Sequence, residues 1–380
     1  MGKNNHMIAY TNTTIFTGEH FLEGHSVLVQ NGRIAGLEPD VAIPGEAERL
    51  DLQGALLAPA FIDLQINGGD GMLFAEHPSV EALEAIWQEC LKGGTTCFLP
   101  TVVTNEMAVI HQAIEAVRDY WKKDGLGAVG LHVEGPYLNP AKRGAHHLEF
   151  IKEPTVSEVE ALLDAGKGVI KKITLAPEVC SEEILQLILD AGIILSAGHS
   201  DATYEQGMQA FKNGVKMATH LFNAMSGLHH RAPGLVGAVY DSGAMASIIA
   251  DGFHVDYPVI RISKKIMGER LFLVTDVVAE NQMGHYLHQF DGEKFTLPDG
   301  TFSGAALTML QSVRNCVEKA GISLEEALRM ASLYPARVLS MEEEYGKIHP
   351  GYPADLVAIG AGYRLQGVWR GGEAAWEEKG

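Results

Sequence analysis

Residues 172–200, KITLAPEVCSEEILQLILDAGIILSAGHS, spell out a strand, a helix and a second strand in succession. The apolar run KITLAPE leads to Ser181, a residue type that caps helices, and then to the amphipathic EEILQLILDAG, which stops at Gly192. The chain then enters another apolar run, IILSAGHS, which ends in polar residues. Apolar runs alternating with helical patterns are the signature of βαβ units. From residue 58 onward the alternation recurs, and eight runs can be read: AFIDLQ, TTCFLPT, AVGLHVEG, KITLAPE, IILSAGHS, KMATHLFN, ASIIADG and LFLVTD. Eight strands with helices between them predict an α/β fold, a (β/α)8 barrel of the TIM type, which commonly takes roughly 250 residues.

On either side of this region the texture changes. Residues 6–57 are rich in Thr, Val and Ile, with turn signals at Thr17-Gly18, Asn31-Gly32 and Pro44-Gly45, so they read as hairpins of a small sheet. The last forty residues, from GKIHPGYPADLVAIG, return to strand-like texture. The expected organisation is a small β-sandwich domain of residues 1–57 and 341–380, built from both termini, flanking a barrel of residues 58–340. Within the barrel region Thr155 with Glu158 has the spacing of a capping box, as does Ser323 with Glu326.

Composition narrows the class. With 46% hydrophobic and 20% charged residues the 380-residue chain reads as globular. No apolar run approaches the ~18 residues of a membrane span, so a membrane role is not expected. The start, MGKNNHMIAY, has no apolar core and no cleavage site of a secretion signal. Cys90, Cys97, Cys180 and Cys316 form no CxxC pair, which suits reduced thiols and a cytoplasmic location. A net charge of -19 without a Lys/Arg cluster excludes nucleic acid as a partner and repels small anions at long range.

Four residues suited to metal chemistry end apolar runs: Glu134 in GLHVEGP, His199 in IILSAGHS, His220 in KMATHLFNA and Asp276 in LFLVTD. Barrel enzymes draw their chemistry from the C-terminal ends of several strands. A catalytic zinc-type site takes about three protein ligands and keeps a position for water. Glu134, His199 and His220 supply such a set, and Asp276 is placed to take the water's proton and return it to a leaving group. A single strand-end His is more often a hydrogen-bonded core residue than a ligand; the four together favour the metal reading. His132, two before Glu134 and on the same strand face, reads as a packing or supporting residue.

The segments HVEGPYLNP, TLAPE, SAGHSDAT, ATHLFNAM, ADGFHVD, LVTD and LTMLQSVRN, closing with LYPARVL and GYPADLV, resemble the N-acetylglucosamine-6-phosphate deacetylases of the amidohydrolase superfamily. The resemblance runs in order over nearly the whole chain. It implies hydrolysis of N-acetyl-D-glucosamine 6-phosphate to D-glucosamine 6-phosphate and acetate, in amino-sugar catabolism or cell-wall recycling. By the same resemblance Glu134, His199 and His220 bind the metal and Asp276 is general base, then general acid. His146 helps polarise the acetyl carbonyl, with the adjacent His147 as the alternative. Asn223 and Ala224 present a side-chain amide and a backbone N–H to the sugar phosphate, and His254 and Arg231 complete the pocket. Arg231 would reach the neighbouring subunit's site, which implies a homodimer.

Two departures refine this expectation. The first strand of the wider superfamily usually ends in a His-x-His pair that binds a second metal, whereas here it reads Gln65-Ile66-Asn67. Amides are poor ligands beside imidazole. One divalent ion per chain is therefore expected, with zinc first and iron, manganese or cobalt as alternatives. After Asp276, VVAENQMGHYLHQF lacks the Ala-Pro-Ala-Gly run of many members, which leaves the 6-phosphate of N-acetylgalactosamine as an alternative substrate. Another amidohydrolase activity on the same barrel is a rival, because fold does not fix function. A sugar-phosphate-binding regulator without chemistry is a further reading, against which Asp276 and the three ligands speak.

Overall fold

The computed structural model describes residues 6–378. Its contacts divide the chain into two compact units. One takes in the chain up to Asp63, Cys90–Cys97 and the chain from Thr308 on; the other is Leu64–Glu89 and Phe98–Leu307.

Each of the eight apolar runs becomes a strand of one eight-stranded sheet. In chain order these are β1 (Phe61–Ile66), β2 (Thr95–Val103), β3 (Leu131–Glu134), β4 (Ile170–Leu175), β5 (Ile194–Ala197), β6 (Met217–Ala218), β7 (Met245–Ile248) and β8 (Leu271–Leu273), and each neighbours the next. From β2 to β8 every adjacent pair is parallel. Every residue of β1 and β3 is buried, as expected of parallel strands covered on both faces. The last run returns to the first through two backbone bonds, Asp276 N–H to Gln65 C=O at 2.9 Å and Asn67 N–H to Val277 C=O at 2.8 Å. That closure brings the ends of β1 and β8 side by side.

Helix starts follow the expected capping residues. Thr155, Ser181 and Ser323 each accept the N–H of the residue three further on. At Thr155 the reciprocal half of the capping box is replaced: Glu158 instead accepts from Tyr137 Oη at 2.9 Å and pairs with Lys152 Nζ at 2.5 Å. Complete boxes form at Thr203 with Gln206 and at Thr308 with Gln311, where a neutral amide has no competing cation. A short antiparallel meander, Gln289–Phe290, Phe295–Thr296 and Phe302–Gly304, lies between β8 and the helix Met309–Glu318.

The terminal unit holds two further sheets. Four strands, Arg33–Pro39, His25–Gln30, Met7–Thr11 and Glu48–Asp51, form one. The other has six and mixes both ends of the chain, with Leu56–Pro59 paired antiparallel to Leu356–Gly360. Asn31 and Gly32 join two of these strands with φ of 52° and 78°, the conformation that an Asn-Gly hairpin turn requires. Tyr10, Ile15, Leu57, Leu356 and Trp369 pack in the core of this unit. No disulfide joins the four cysteines. Among the described residues no helix is long and apolar enough to cross a membrane.

Inside the eight-stranded sheet, polar side chains make one connected layer. His132 is fully buried, with Nδ1 bonded to Thr101 Oγ1 at 3.1 Å and Nε2 to Thr174 Oγ1 at 2.8 Å. Thr174 reaches Thr219 at 2.8 Å, and Thr219 meets Ser196. Burial, then the charge of Lys172, holds the His132 imidazole well below its ordinary range, so it is neutral and engaged at both nitrogens. Thr174→Val keeps the side-chain shape and leaves His132 Nε2 without its hydroxyl. Stability should fall by about 1–3 kcal/mol, read as a lower denaturant midpoint at unchanged slope; an unmoved midpoint would mean that the layer contributes nothing.

Candidate functional site

The backbone leaves its regular path where the four singled-out residues sit. Glu134 is the last residue of β3, His199 and His220 each lie two residues beyond β5 and β6, and Asp276 lies three beyond β8. Three of them adopt left-handed backbone, His199 at φ 48°, His220 at 34° and Asp276 at 52°, and Phe222 and Ala224 do so at 79° and 49°. Non-glycine residues seldom sit there, at a cost of order 1–3 kcal/mol each. The turns aim side chains inward that a continued strand would place on alternate faces.

Three donor atoms meet. His199 Nε2 and His220 Nε2 are 3.1 Å apart, His220 Nε2 is 3.1 Å from Glu134 Oε1, and His199 Nε2 is 3.5 Å from the same oxygen. A tetrahedral ion about 2.0–2.1 Å from each donor sets neighbouring donors about 3.3 Å apart. The triangle fits that dimension, and its two imidazoles and one carboxylate are a donor set for a borderline-soft divalent metal. The Nδ1 of His199 bonds to the Lys142 carbonyl at 3.0 Å, which fixes the tautomer and turns Nε2 toward the triangle. His146 also lies close: its Nε2 is 3.9 Å from Glu134 Oε2, and Glu134, His146 and His199 each offer an atom within 4.8 Å of the others. The tighter distances favour His220 over His146 as the third donor.

Two carboxylates share this space and are shifted in opposite directions. Burial opposes ionisation of Glu134, but the hydrogen bonds and charges of His199 and His220 outweigh it and hold the carboxyl well below its usual range. For Asp276, burial and then the charge of Glu134 raise the carboxyl, against the opposing pull of His220, His254 and Asn67. The amides of Gln65 and Asn67 supply the link: Gln65 Nε2 donates to Glu134 Oε1 at 3.0 Å and to Asp276 Oδ1 at 3.1 Å, and Asn67 Nδ2 donates to Asp276 Oδ1 at 2.8 Å.

These groups border a cavity of about 260 Å³ that is also lined by Asn67, His146, Asn223, Ala224 and His254. His146, not His147, faces it; His147 Nε2 bonds to the His285 carbonyl at 2.6 Å. Burial, then His199, keeps the His146 imidazole well below its ordinary range, and its Nδ1 has no partner among the described residues. Asn223 turns its amide to the His220 and Leu221 carbonyls, at 3.2 and 3.4 Å. His254 is oriented by Asp251, whose Oδ2 lies 2.5 Å from His254 Nδ1. Arg231 is exposed and does not line this cavity; its N–H donates to His229 Nδ1 at 3.3 Å.

Several contributors escaped the sequence. Gln65 and Asn67 were weighed as failed ligands, not as donors to the two carboxylates. Asp251 precedes His254 by three residues in ADGFHVD, a spacing that hinted at the pair. Tyr286, His288 and the meander residues Thr301, Phe302, Ser303 and Gly304 line one wall, and nothing in their local pattern pointed there.

The Amidohydrolase family matches residues 56–375, and the NagA composite domain matches residues 7–57. The chain is similar to an N-acetylglucosamine-6-phosphate deacetylase of Haemophilus influenzae, 38% identical over 97% of this chain and 99% of the relative. It is also similar to an N-acetylgalactosamine-6-phosphate deacetylase of Escherichia coli O157:H7, 33% identical over 95% of this chain and 97% of the relative. The crystal structure of N-acetylglucosamine-6-phosphate deacetylase from Pasteurella multocida superposes with a TM-score of 0.94 at 38% identity, covering 97% of this chain and 99% of that one. On these matches and the barrel that carries the site, the chain belongs to the N-acetylglucosamine-6-phosphate deacetylase family of amidohydrolases.

Proposed function

We propose that this chain hydrolyses the acetamide bond of N-acetyl-D-glucosamine 6-phosphate, releasing acetate and D-glucosamine 6-phosphate. One observation carries the reading: three donors within 3.1–3.5 Å of one another and a separate, half-buried carboxylate border one cavity, in a chain similar to such deacetylases along nearly its full length. Glu134, His199 and His220 hold one divalent ion, zinc by first choice. When bound, it supplies Lewis acidity, polarising a carbonyl and lowering the pKa of a water from 15.7 to roughly 7. Gln65 and Asn67, whose amides donate to the carboxylates, favour a single ion per chain.

The remaining work falls to protein groups. Asp276 takes a proton from the attacking water and delivers it to the departing amine nitrogen, so that water adds across the C–N bond. Both amides bind its Oδ1, which leaves Oδ2 to carry the proton. A carboxyl raised by burial suits a group that must accept and then give up a proton. Neutral His146 donates a hydrogen bond to the acetyl oxygen, where negative charge grows. Asn223, the Ala224 N–H and His254 hold the sugar phosphate. No Lys or Arg is among the residues lining the cavity, which favours Arg231 of a second copy as the cation that meets the phosphate. Cysteines without a disulfide suit a cytoplasmic enzyme.

A second substrate, N-acetylgalactosamine 6-phosphate, is favoured by one feature: Tyr286 and His288 of the cavity wall lie in the segment after Asp276 that departs from the pattern of many members. Acetate and free-amine release from both 6-phosphates and from the unphosphorylated sugar, before and after metal is stripped and restored, should show metal-dependent turnover of a phosphorylated substrate. No release by fully loaded protein would refute the reading, and a required second metal equivalent would refute the single-ion assignment. Asp276→Asn should keep its metal content and lose about 10²- to 10⁴-fold in kcat; unchanged turnover would end the assignment of Asp276. Arg231→Ala should raise KM about 10- to 100-fold, the scale of a charge-assisted hydrogen bond. Mixing Arg231→Ala with Asp276→Asn chains should restore activity, since a mixed pair has one site with both residues intact. No recovery on mixing would rule out supply from a second copy.

A further inference from the structure

We propose that Glu178, the last residue of the TLAPE run, is a positioning residue for the metal site, fixing the two loops that aim His199. The inference rests on the reading of His199 as a ligand. His199 sits at φ 48°, a backbone conformation uncommon outside glycine that persists where the surroundings hold it. That support comes from the loop of Asn139–Lys142. The His199 ring holds the Lys142 carbonyl through Nδ1 at 3.0 Å, and the His199 carbonyl accepts the Asn139 N–H at 2.9 Å.

The loop is itself shaped by Asn139. Its Oδ1 accepts the Ala141 N–H at 3.0 Å and caps the turn Pro140–Lys142, which sets where the Lys142 carbonyl points. Its Nδ2 donates to Glu178 Oε1 at 2.9 Å. An ionised carboxylate only accepts, so Glu178 dictates which end of the Asn139 amide faces it and which end caps the turn. The same carboxylate grips the chain just beyond His199. Oε1 accepts the Asp201 N–H at 2.7 Å, and Oε2 accepts from Ser200 Oγ at 2.6 Å, which in turn accepts the Ala202 N–H at 3.2 Å. One side chain thus ties the segment that holds the His199 ring to the segment that follows His199. Hydrogen bonds to a charged acceptor are the strong kind, and groups that orient a ligand in this way act on metal affinity.

The test measures zinc affinity of the full chain by competition with a chromophoric chelator, for the parent, Glu178→Ala, Asn139→Ala, the double variant and His199→Ala. Glu178→Ala and Asn139→Ala should each weaken zinc binding about 10- to 100-fold. The double variant should lose little more than Glu178→Ala alone, because Asn139 acts through the Lys142 carbonyl, one of the two ties that Glu178 itself fixes. A merely structural role lowers the melting temperature of the metal-free chain and leaves zinc affinity where it was; unchanged affinity in Glu178→Ala, or fully additive losses, overturns the proposal. If Glu178→Ala does not fold, Glu178→Gln replaces it: one acceptor oxygen remains for the two N–H donors, a smaller loss is expected, and no loss overturns. Zinc bound by His199→Ala as tightly as by the parent removes the ligand assignment, and the proposal with it. Loss in His199→Ala alone removes only the proposal.

Discussion

One amide stands between two carboxylates, one buried and one half-buried. Gln65 Nε2 donates to Glu134 Oε1 and to Asp276 Oδ1, and without such a donor two acids in one small cavity repel each other in a medium of low dielectric. The two acids are pushed in opposite directions by what else touches them: two imidazoles lower Glu134, whereas burial and Glu134 itself raise Asp276. Environments that drive two neighbouring acids apart are how one site obtains a fixed anion and a proton carrier. Gln65 bridges the two acids while remaining neutral. An imidazole in its place would compete as a ligand and carry its own titration.

The amide is held in place by the closure of the barrel. Gln65 lies near the end of β1, and its own carbonyl accepts the Asp276 N–H, so the backbone that joins the first strand to the eighth run also fixes the spacing of the amide and the acid. Asn67, two residues on, bonds its N–H to the Val277 carbonyl and its side chain to Asp276. A change in the register of this junction would therefore move the proton carrier relative to the metal donors. The polar layer one step deeper, His132 with Thr101 and Thr174, lies on β2, β3 and β4 beneath these ends. The supports of the site are strands and short strand-end turns.

Much of this was legible because periodicity and strand-end chemistry are local properties. The eight apolar runs became the eight strands in order, and the Asn31-Gly32 turn joins two strands as its composition demands. What the sequence hid depends on partners distant in the chain. Gln65 is a donor only because Glu134 and Asp276, far along the sequence, arrive on either side of it. Glu158 has capping spacing, yet Tyr137 and Lys152 claim its carboxylate. The wall formed by Tyr286, His288 and the meander was equally obscure, because its strands are two or three residues long and show no clear alternation. His146 and His147 look alike in the chain; their difference lies in the His285 carbonyl, which occupies one of them.

Charge imposes the last requirement on the site. The chain carries a net charge of -19, and the cavity adds Glu134 and Asp276 to that field. A sugar phosphate brings up to two more negative charges. In the proposed reading His146 faces the acetyl end, and burial keeps its imidazole well below the ordinary range, so it would not offset the phosphate. An ion held by Glu134, His199 and His220 would be partly neutralised by Glu134 and, in the proposed reading, would serve the acetyl end of the substrate. A phosphate held only by an amide and a backbone N–H would exchange strong hydration for weak bonds, and net binding would be poor. A cation that comes from outside the cavity resolves the conflict, since it leaves the acid–base pair undisturbed and is brought in only where the phosphate sits. In the proposed reading that cation would be the exposed Arg231 of a second copy of the chain, whose fork of donors suits phosphate oxygens.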